Sequence, residues 1–209
     1  MTVNIITAGG DDLLRYFQTW PEMTARSARL AINSVAKGKG MSAIKSEMLS
    51  EVAFPSGYLN ADRLRITRLA SDGRLEAVIT GRHRATSLAR FATGNPVPNS
   101  KRPGGVTVRV KAGRTTVIRN AWVVRLKKGA SLSDDNFNLG LAVRLKPGET
   151  TLGNKRTTHQ SWLVHGKVAL LYGPSVDQVF SDVSAKVSPA LGGMVAAEFF
   201  RQFARLSND

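Results

Sequence analysis

Apolar positions along the chain follow a helical period first, a period of two through the middle, and a helical period again at the end. Residues 1–10 read as an arm, and Gly10 or Asp11 opens a short helix through Leu13, Leu14 and Phe17. A longer helix is predicted to start at Thr19-Trp20-Pro21-Glu22 and to run to about Ala36. Thr19 stands as its cap, Pro21 suits the first turn, and Glu22 lies near the positive end of the helix dipole. Ala28, Ala31, Ile32 and Val35 form its buried stripe, small enough to admit another backbone closely, either this chain's own sheet or a neighbouring copy. Lys37-Gly38-Lys39-Gly40 ends it, and the link that follows gives no clear sign of a tight turn. Ser42 caps a second helix with Ile44, Met48, Leu49 and Val52 on one side, stopped by Pro55-Ser56-Gly57.

Period two then takes over. Leu64 and Ile66 alternate with Arg65 and Thr67, Asp72-Gly73 supplies a hairpin turn, and Leu75, Ala77 and Ile79 alternate on the return. Thr86 or Ser87 opens one helical turn with Leu88 and Phe91 facing inward. Residues 93–105, with three prolines and three glycines, form an exposed loop. Val106, Val108 and Val110 alternate cleanly, and Ala112-Gly113 turns the chain. Val117, Trp122, Val124 and Leu126 are candidate core residues, with a bend at Asn120. Leu139, Leu141, Val143 and Leu145 alternate again between polar loops at 127–138 and 146–160, and residues 162–172 complete the sheet. Hairpin spacing throughout predicts an α+β fold: N-terminal helices, a curved, mainly antiparallel half-barrel-like sheet, and a C-terminal helical segment. Three successive blocks, 1–56, 57–172 and 173–209, make one structural domain.

The last strand meets the last helix at Leu170-Leu171-Tyr172-Gly173-Pro174-Ser175-Val176-Asp177-Gln178-Val179-Phe180. Gly173-Pro174 stops the strand. Ser175 and Gln178 have capping-box spacing, each side chain able to reach the other residue's amide. Val176, Val179, Phe180 and Val183 begin the helix's apolar stripe. Ser188-Pro189 divides the helix, because proline lacks the amide and crowds the preceding turn, and Gly192-Gly193 weakens it further. Val195, Phe199, Phe203 and Leu206 line one side of the final segment, to dock on the sheet or on another subunit.

LYGPSV-x-Q-VF, near the end of a chain with a basic, strand-rich middle, resembles the signature of the phage minor tail protein Z family. The Ala-rich helix with Ala31-Ile32-Asn33 and the segment Ser87-Leu88-Ala89-Arg90-Phe91 extend the likeness over most of the chain; YGPSV is its specific part. The resemblance implies a structural virion protein of long-tailed phages. It would act in tail completion and head–tail joining at the head-proximal end, after assembly in the host cytoplasm. Its implied neighbours are tail terminator, tail tube or connector subunits, and its implied form is a ring of identical copies. Tyr172, Gly173, Pro174, Ser175 and Gln178 would form its structural corner.

Charge adds a second feature. Thirty Lys and Arg face fifteen Asp and Glu, a net +15, and no acid lies between Glu76 and Asp134. That interval holds Arg82, Arg84, Arg90, Lys101, Arg102, Arg109, Lys111, Arg114, Arg119, Arg125, Lys127 and Lys128. Such a run reads either as a solvated face or as a contact surface for an acidic protein neighbour or for DNA. DNA contact of this kind is independent of sequence. A cytoplasmic nucleic-acid-binding protein without a virion role is the alternative function. Helix-turn-helix readout is disfavoured, because the second helix offers only Lys45, Glu47 and Ser50 to base edges. With 42% apolar residues the chain has material for a core, yet no run approaches the roughly 18 needed to span a membrane. The N-terminus lacks the basic and apolar regions of a signal peptide. Zero cysteines exclude disulfides and thiolate metal sites and suit a reducing cytoplasm.

Catalytic patterns fail in detail. Gly173-Pro174-Ser175-Val176-Asp177 has Asp177 where a hydrolase elbow has its second glycine. In Gly153-Asn154-Lys155-Arg156, Asn154 separates the glycine and lysine that a phosphate-binding loop joins. His83, His159 and His165 lack metal-ligand spacing, and Asp134-Asp135 side chains diverge on an extended chain. Trp20, Trp122 and Trp162 are too scattered for a base-stacking platform. The expectation is therefore no catalytic, cofactor or metal site.

Overall fold

The computed structural model of the chain describes residues 20–94, 105–126, 138–144, 163–164 and 168–208. The fold is α+β, with two N-terminal helices, a curved antiparallel sheet of half-barrel form, and a C-terminal helix. The chain divides into two compact units. One comprises Met1–Met48, Asn60–Gly81 and Phe180–Asp209; the other comprises Leu49–Leu59 and Arg82–Val179.

In the first unit, helix α1 (Pro21–Lys37) buries Ser27, Ala31, Val35 and Ala36, close to the predicted stripe. Trp20 holds the cap position without a side-chain cap bond. The proposed cap, Thr19, lies outside the described residues. Gly38 breaks the helix, and α2 (Lys39–Glu51) begins at once, so Ser42 sits inside α2 rather than capping it. The physical reason is Gly40. A Cβ there would lie 2.7 Å from the Val35 carbonyl oxygen and 2.9 Å from Val35 Cγ1, so only glycine lets the two helices join through so tight a link. Ile44 and Met48 are buried in α2, while Leu49 is exposed.

Strands β1 (Leu64–Arg68) and β2 (Val78–Gly81) pair antiparallel. Between them Ser71 and Arg74 exchange both backbone hydrogen bonds, at 2.9 and 3.0 Å, around the predicted Asp72-Gly73 turn. The ladder opens between them, however. Its register shifts at Ile66/Arg68, and Arg68 faces Val78. Leu75 therefore lies outside the strand and is 46% exposed, contrary to the alternation read from sequence. Asn33 of α1 binds this hairpin as a neighbouring strand would. Its Oδ1 accepts from the Ala70 amide (2.8 Å) and its Nδ2 donates to the Ala70 carbonyl (2.9 Å).

Helix α3 (Val176–Ser207) runs unbroken through Pro189. The predicted division at Ser188-Pro189 does not occur. Pro189 lies on the exposed side, where water can satisfy the Ala185 carbonyl left without an amide, and Val183, Val187 and Phe203 are buried on the helix.

The second unit contains β3 (Ala85–Ser87), a 3-10 turn (Leu88–Phe91), β4 (Val106–Val108), β5 (Thr116–Ile118), β6 (Ala121–Leu126), β7 (Asn138–Arg144), β8 (Leu163–Val164) and β9 (Val168–Ser175). All pairings are antiparallel. The main sheet runs β3-β9-β7-β6 with β8 also on β9, while β4–β5 forms its own two-stranded ladder, as β1–β2 does. The described strands thus fall into three sheets rather than one continuous sheet.

Asn120 adopts φ 57°, the predicted bend. The inward face after it is nevertheless the other one. Ala121 and Val123 are 1% and 2% exposed, Trp122, Val124 and Leu126 are half-buried, and Val117 is 61% exposed. The left-handed residue turns the next strand over, so small Ala121 rather than bulky Trp122 faces the crowded side. In β7, Leu141 and Ala142 are both fully buried, so this strand is covered on both faces. Each such fully buried Leu or Val stabilises by about 1.5–3 kcal/mol. Leu145 and Trp162 lie outside the described residues.

Candidate interaction surface

The strand-to-helix corner differs from the sequence reading in one respect. Gly173-Pro174 does not stop β9, which continues to Ser175 and pairs Tyr172 with Ser87, Gly173 with Thr86, and Ser175 with Ala85. The register shifts between Ala85 and Thr86, which leaves Pro174 opposite no residue. A bulge of this kind accommodates a residue that cannot donate to the ladder. The helix then starts directly. The Ser175 amide donates to Gln178 Oε1 (3.0 Å), and the Gln178 amide donates to Ser175 Oγ (3.1 Å), forming both bonds of the capping box. Gly173 is buried against the aromatic side of the unit. A Cβ there would meet Phe91 Cε2 at 3.1 Å and Leu88 Cδ1 at 3.4 Å.

The basic residues are spread over the same unit. Arg82, just after β2, is half-buried; its Nη2 donates to the Tyr58 hydroxyl (3.0 Å), and its carbonyl accepts from the Asp177 amide (3.3 Å) at the start of α3. The Tyr58 hydroxyl in turn donates to Thr86 Oγ1 (3.2 Å). Arg90, in the 3-10 turn, is exposed, its guanidinium carbon 5.7 Å from the Tyr58 ring centroid, close enough for cation–π attraction. Phe54 stacks on Tyr58 with centroids 5.4 Å apart and tilts against Phe91 at 5.8 Å. Tyr58 thus joins Arg82 and Arg90, and sequence reading missed it.

Arg84 is exposed ahead of β3, and Arg125 is exposed on β6. Arg109, Lys111, Arg114 and Arg119 are all exposed on and around the β4–β5 hairpin. Its turn is closed by the Arg114 amide donating to the Lys111 carbonyl (3.2 Å), with Gly113 at φ 74°. The end of α2, the chain just after it and the 3-10 turn hold this hairpin: the Ala53 amide donates to the Val110 carbonyl (2.8 Å), the Ala112 amide to the Glu51 carbonyl (3.2 Å), and the Arg109 amide to the Phe91 carbonyl (2.8 Å). Lys101, Arg102, Lys127 and Lys128 lie outside the described residues. The placed cations are therefore not one cluster. Arg82 and Arg90 gather about Tyr58, four more lie on and around the hairpin, and Arg84 and Arg125 belong to neither group.

A groove of about 320 Å³ opens beside the hairpin, lined by Leu88, Val108, Val110, Thr116 and Ile118 together with Lys111 and Arg114. Ser175 shows no arrangement for nucleophilic attack. It is 2% exposed, its oxygen caps α3, and exposed His83 pairs through Nδ1 with Asp177 Oδ2 (2.9 Å) instead. Among the described residues no three His, Asp or Glu side chains gather as metal ligands, and no helix is long and apolar enough to cross a membrane. No protein-family model, no curated protein and no solved structure matches the chain.

Proposed function

We propose that the chain is a structural protein of a long-tailed phage, a minor tail protein that completes the tail at its head-proximal end and makes it competent to join the head. The observation that carries this reading is the LYGPSV-x-Q-VF corner, where the last strand passes directly into a 32-residue helix and both bonds of the capping box form. The work is docking rather than catalysis. The partners are further copies in a ring and the tail terminator, tail tube or connector subunits that adjoin it. The chain is made and assembled in the host cytoplasm and ends in the virion.

The exposed arginines of the acid-free interval also support a second reading, sequence-independent nucleic-acid binding. Loss of the chain separates the two. The tail reading predicts complete heads and tails that stay unjoined, with joining restored by adding the purified chain. Normal joining without the chain would overturn it. Tight, salt-sensitive binding to any duplex, with joining intact, would favour the second.

A further inference from the structure

Strand β5 has an open side. In the β4–β5 ladder Thr107 faces Val117, between the pairs Val106–Ile118 and Val108–Thr116. The Thr107 carbonyl accepts from the Thr93 amide (2.9 Å), and the Arg109 amide donates to the Phe91 carbonyl (2.8 Å), so both residues turn their backbone groups away from β5. Hydrogen-bonded and non-hydrogen-bonded pairs alternate along an antiparallel ladder. Thr107–Val117 is therefore a non-hydrogen-bonded pair, and the Val117 amide and carbonyl point away from β4. Residues 91–93 cover the far side of β4, but among the described residues nothing bonds to the Val117 backbone.

The surroundings suit a further strand. Residues 111–117 are all exposed, Val117 at 61%, and the Val117 side chain lies on the face opposite Thr116 and Ile118. Thr115-Thr116-Val117-Ile118 favours extended chain, no proline interrupts it, and Arg114 and Arg119 flank it. Three classes of partner would meet this edge differently. A phosphate backbone supplies acceptors for the amide and the cations but no donor for the Val117 carbonyl. The β5 of a second copy would bring Arg114 of one chain beside Arg119 of the other, like charge against like. An extended segment carrying carboxylates satisfies the amide, the carbonyl and the cations together.

We propose that the open edge of β5 takes an antiparallel strand from another protein, with a β-branched residue against Val117 and carboxylates against Arg119 and Arg114. Antiparallel register sets the spacing. The carboxylate facing Arg119 stands two positions before the β-branched residue, and the one facing Arg114 stands three positions after it. The partner is thus an acidic extended segment, and it adds a third strand to the β4–β5 ladder. The contact does not depend on the tail reading, because any protein presenting that segment fits.

The probe is the peptide TETVTTET, which has that spacing, added to the isotope-labelled full chain. Amide hydrogen exchange followed by NMR should slow about tenfold or more at Val117 when the peptide saturates. The same peptide N-methylated at its valine should bind about tenfold more weakly, since it cannot donate to the Val117 carbonyl. TKTVTTKT should bind about tenfold more weakly than TETVTTET, and Arg114→Glu with Arg119→Glu should reverse that order. Val117→Pro removes the outward amide and should abolish peptide binding, while continued protection of the Val108 amide shows that the hairpin is intact.

Four results would overturn the proposal. Unchanged exchange at Val117 with peptide up to about 1 mM denies the edge a strand partner. Equal binding of the N-methylated or the lysine peptide denies the backbone contact or the charge contact. Protection of Val117 that rises with protein concentration alone assigns the edge to a second copy. Protection by a short mixed-sequence DNA duplex but not by peptide assigns it to nucleic acid. Head–tail joining enters none of these measurements, so the strand contact and the tail reading fail separately.

Discussion

Gly173 stands where the last strand passes Phe91, and a Cβ there would lie 3.1 Å from the ring, which packs against Phe54 and would have to give by a few tenths of an ångström. Gly173→Ala should destabilise the protein by about 1 kcal/mol and Gly173→Val by more, as overpacking does. Urea unfolding of the two variants measures this, and equal midpoints for wild type and Gly173→Val would show that the ring yields freely. A second residue contributes to the response to acid. Glu198 accepts from Arg201 Nε (2.8 Å) and Gln202 Nε2 (2.7 Å). Chiefly through the Arg201 bond, its carboxyl is held at about 2, below its ordinary 4.5. The folded state thus favours the ionised carboxylate. Its contribution is complete above pH 4.5 and is lost as the pH falls toward 2. Glu198→Gln should flatten that part of the melting-temperature profile, and an unchanged slope would contradict the assignment.

Elements were legible in the sequence where one local rule decided them. The capping box at Ser175 and Gln178, the Asp72-Gly73 turn and the bend at Asn120 each rest on residues adjacent in the chain, and each forms. Elements decided by packing were misread. The tight α1–α2 link depends on what Gly40 meets in Val35, and the inward face of β6 depends on what Ala121 meets, and neither contact is visible in a local pattern. Pro189 shows the same conflict in the other direction. A residue that breaks isolated helices is carried here by a helix whose other side is buried. Pro189→Ala should therefore stabilise by about 2 kcal/mol, since it returns an amide to the Ala185 carbonyl without touching the core. Gly193→Ala, where a Cβ would meet nothing within 4 Å, should add up to about 1 kcal/mol. Denaturant midpoints test both, and a loss of stability at Pro189→Ala would mean that the helix needs its proline.

At the scale of the whole molecule the charge run was plain in the sequence, but its distribution was not. Arg82 and Arg90 meet at Tyr58, distant from both in the chain, while Arg109, Lys111, Arg114 and Arg119 cluster through the hairpin. We propose that these surfaces serve assembly, and washed, tail-bearing particles test this most directly. Quantitative mass spectrometry should find this chain at a constant ratio to the tail-tube subunit after high-salt washing, in tails as well as in joined particles. Its absence from washed particles, with the protein recovered free or on DNA, would contradict the account.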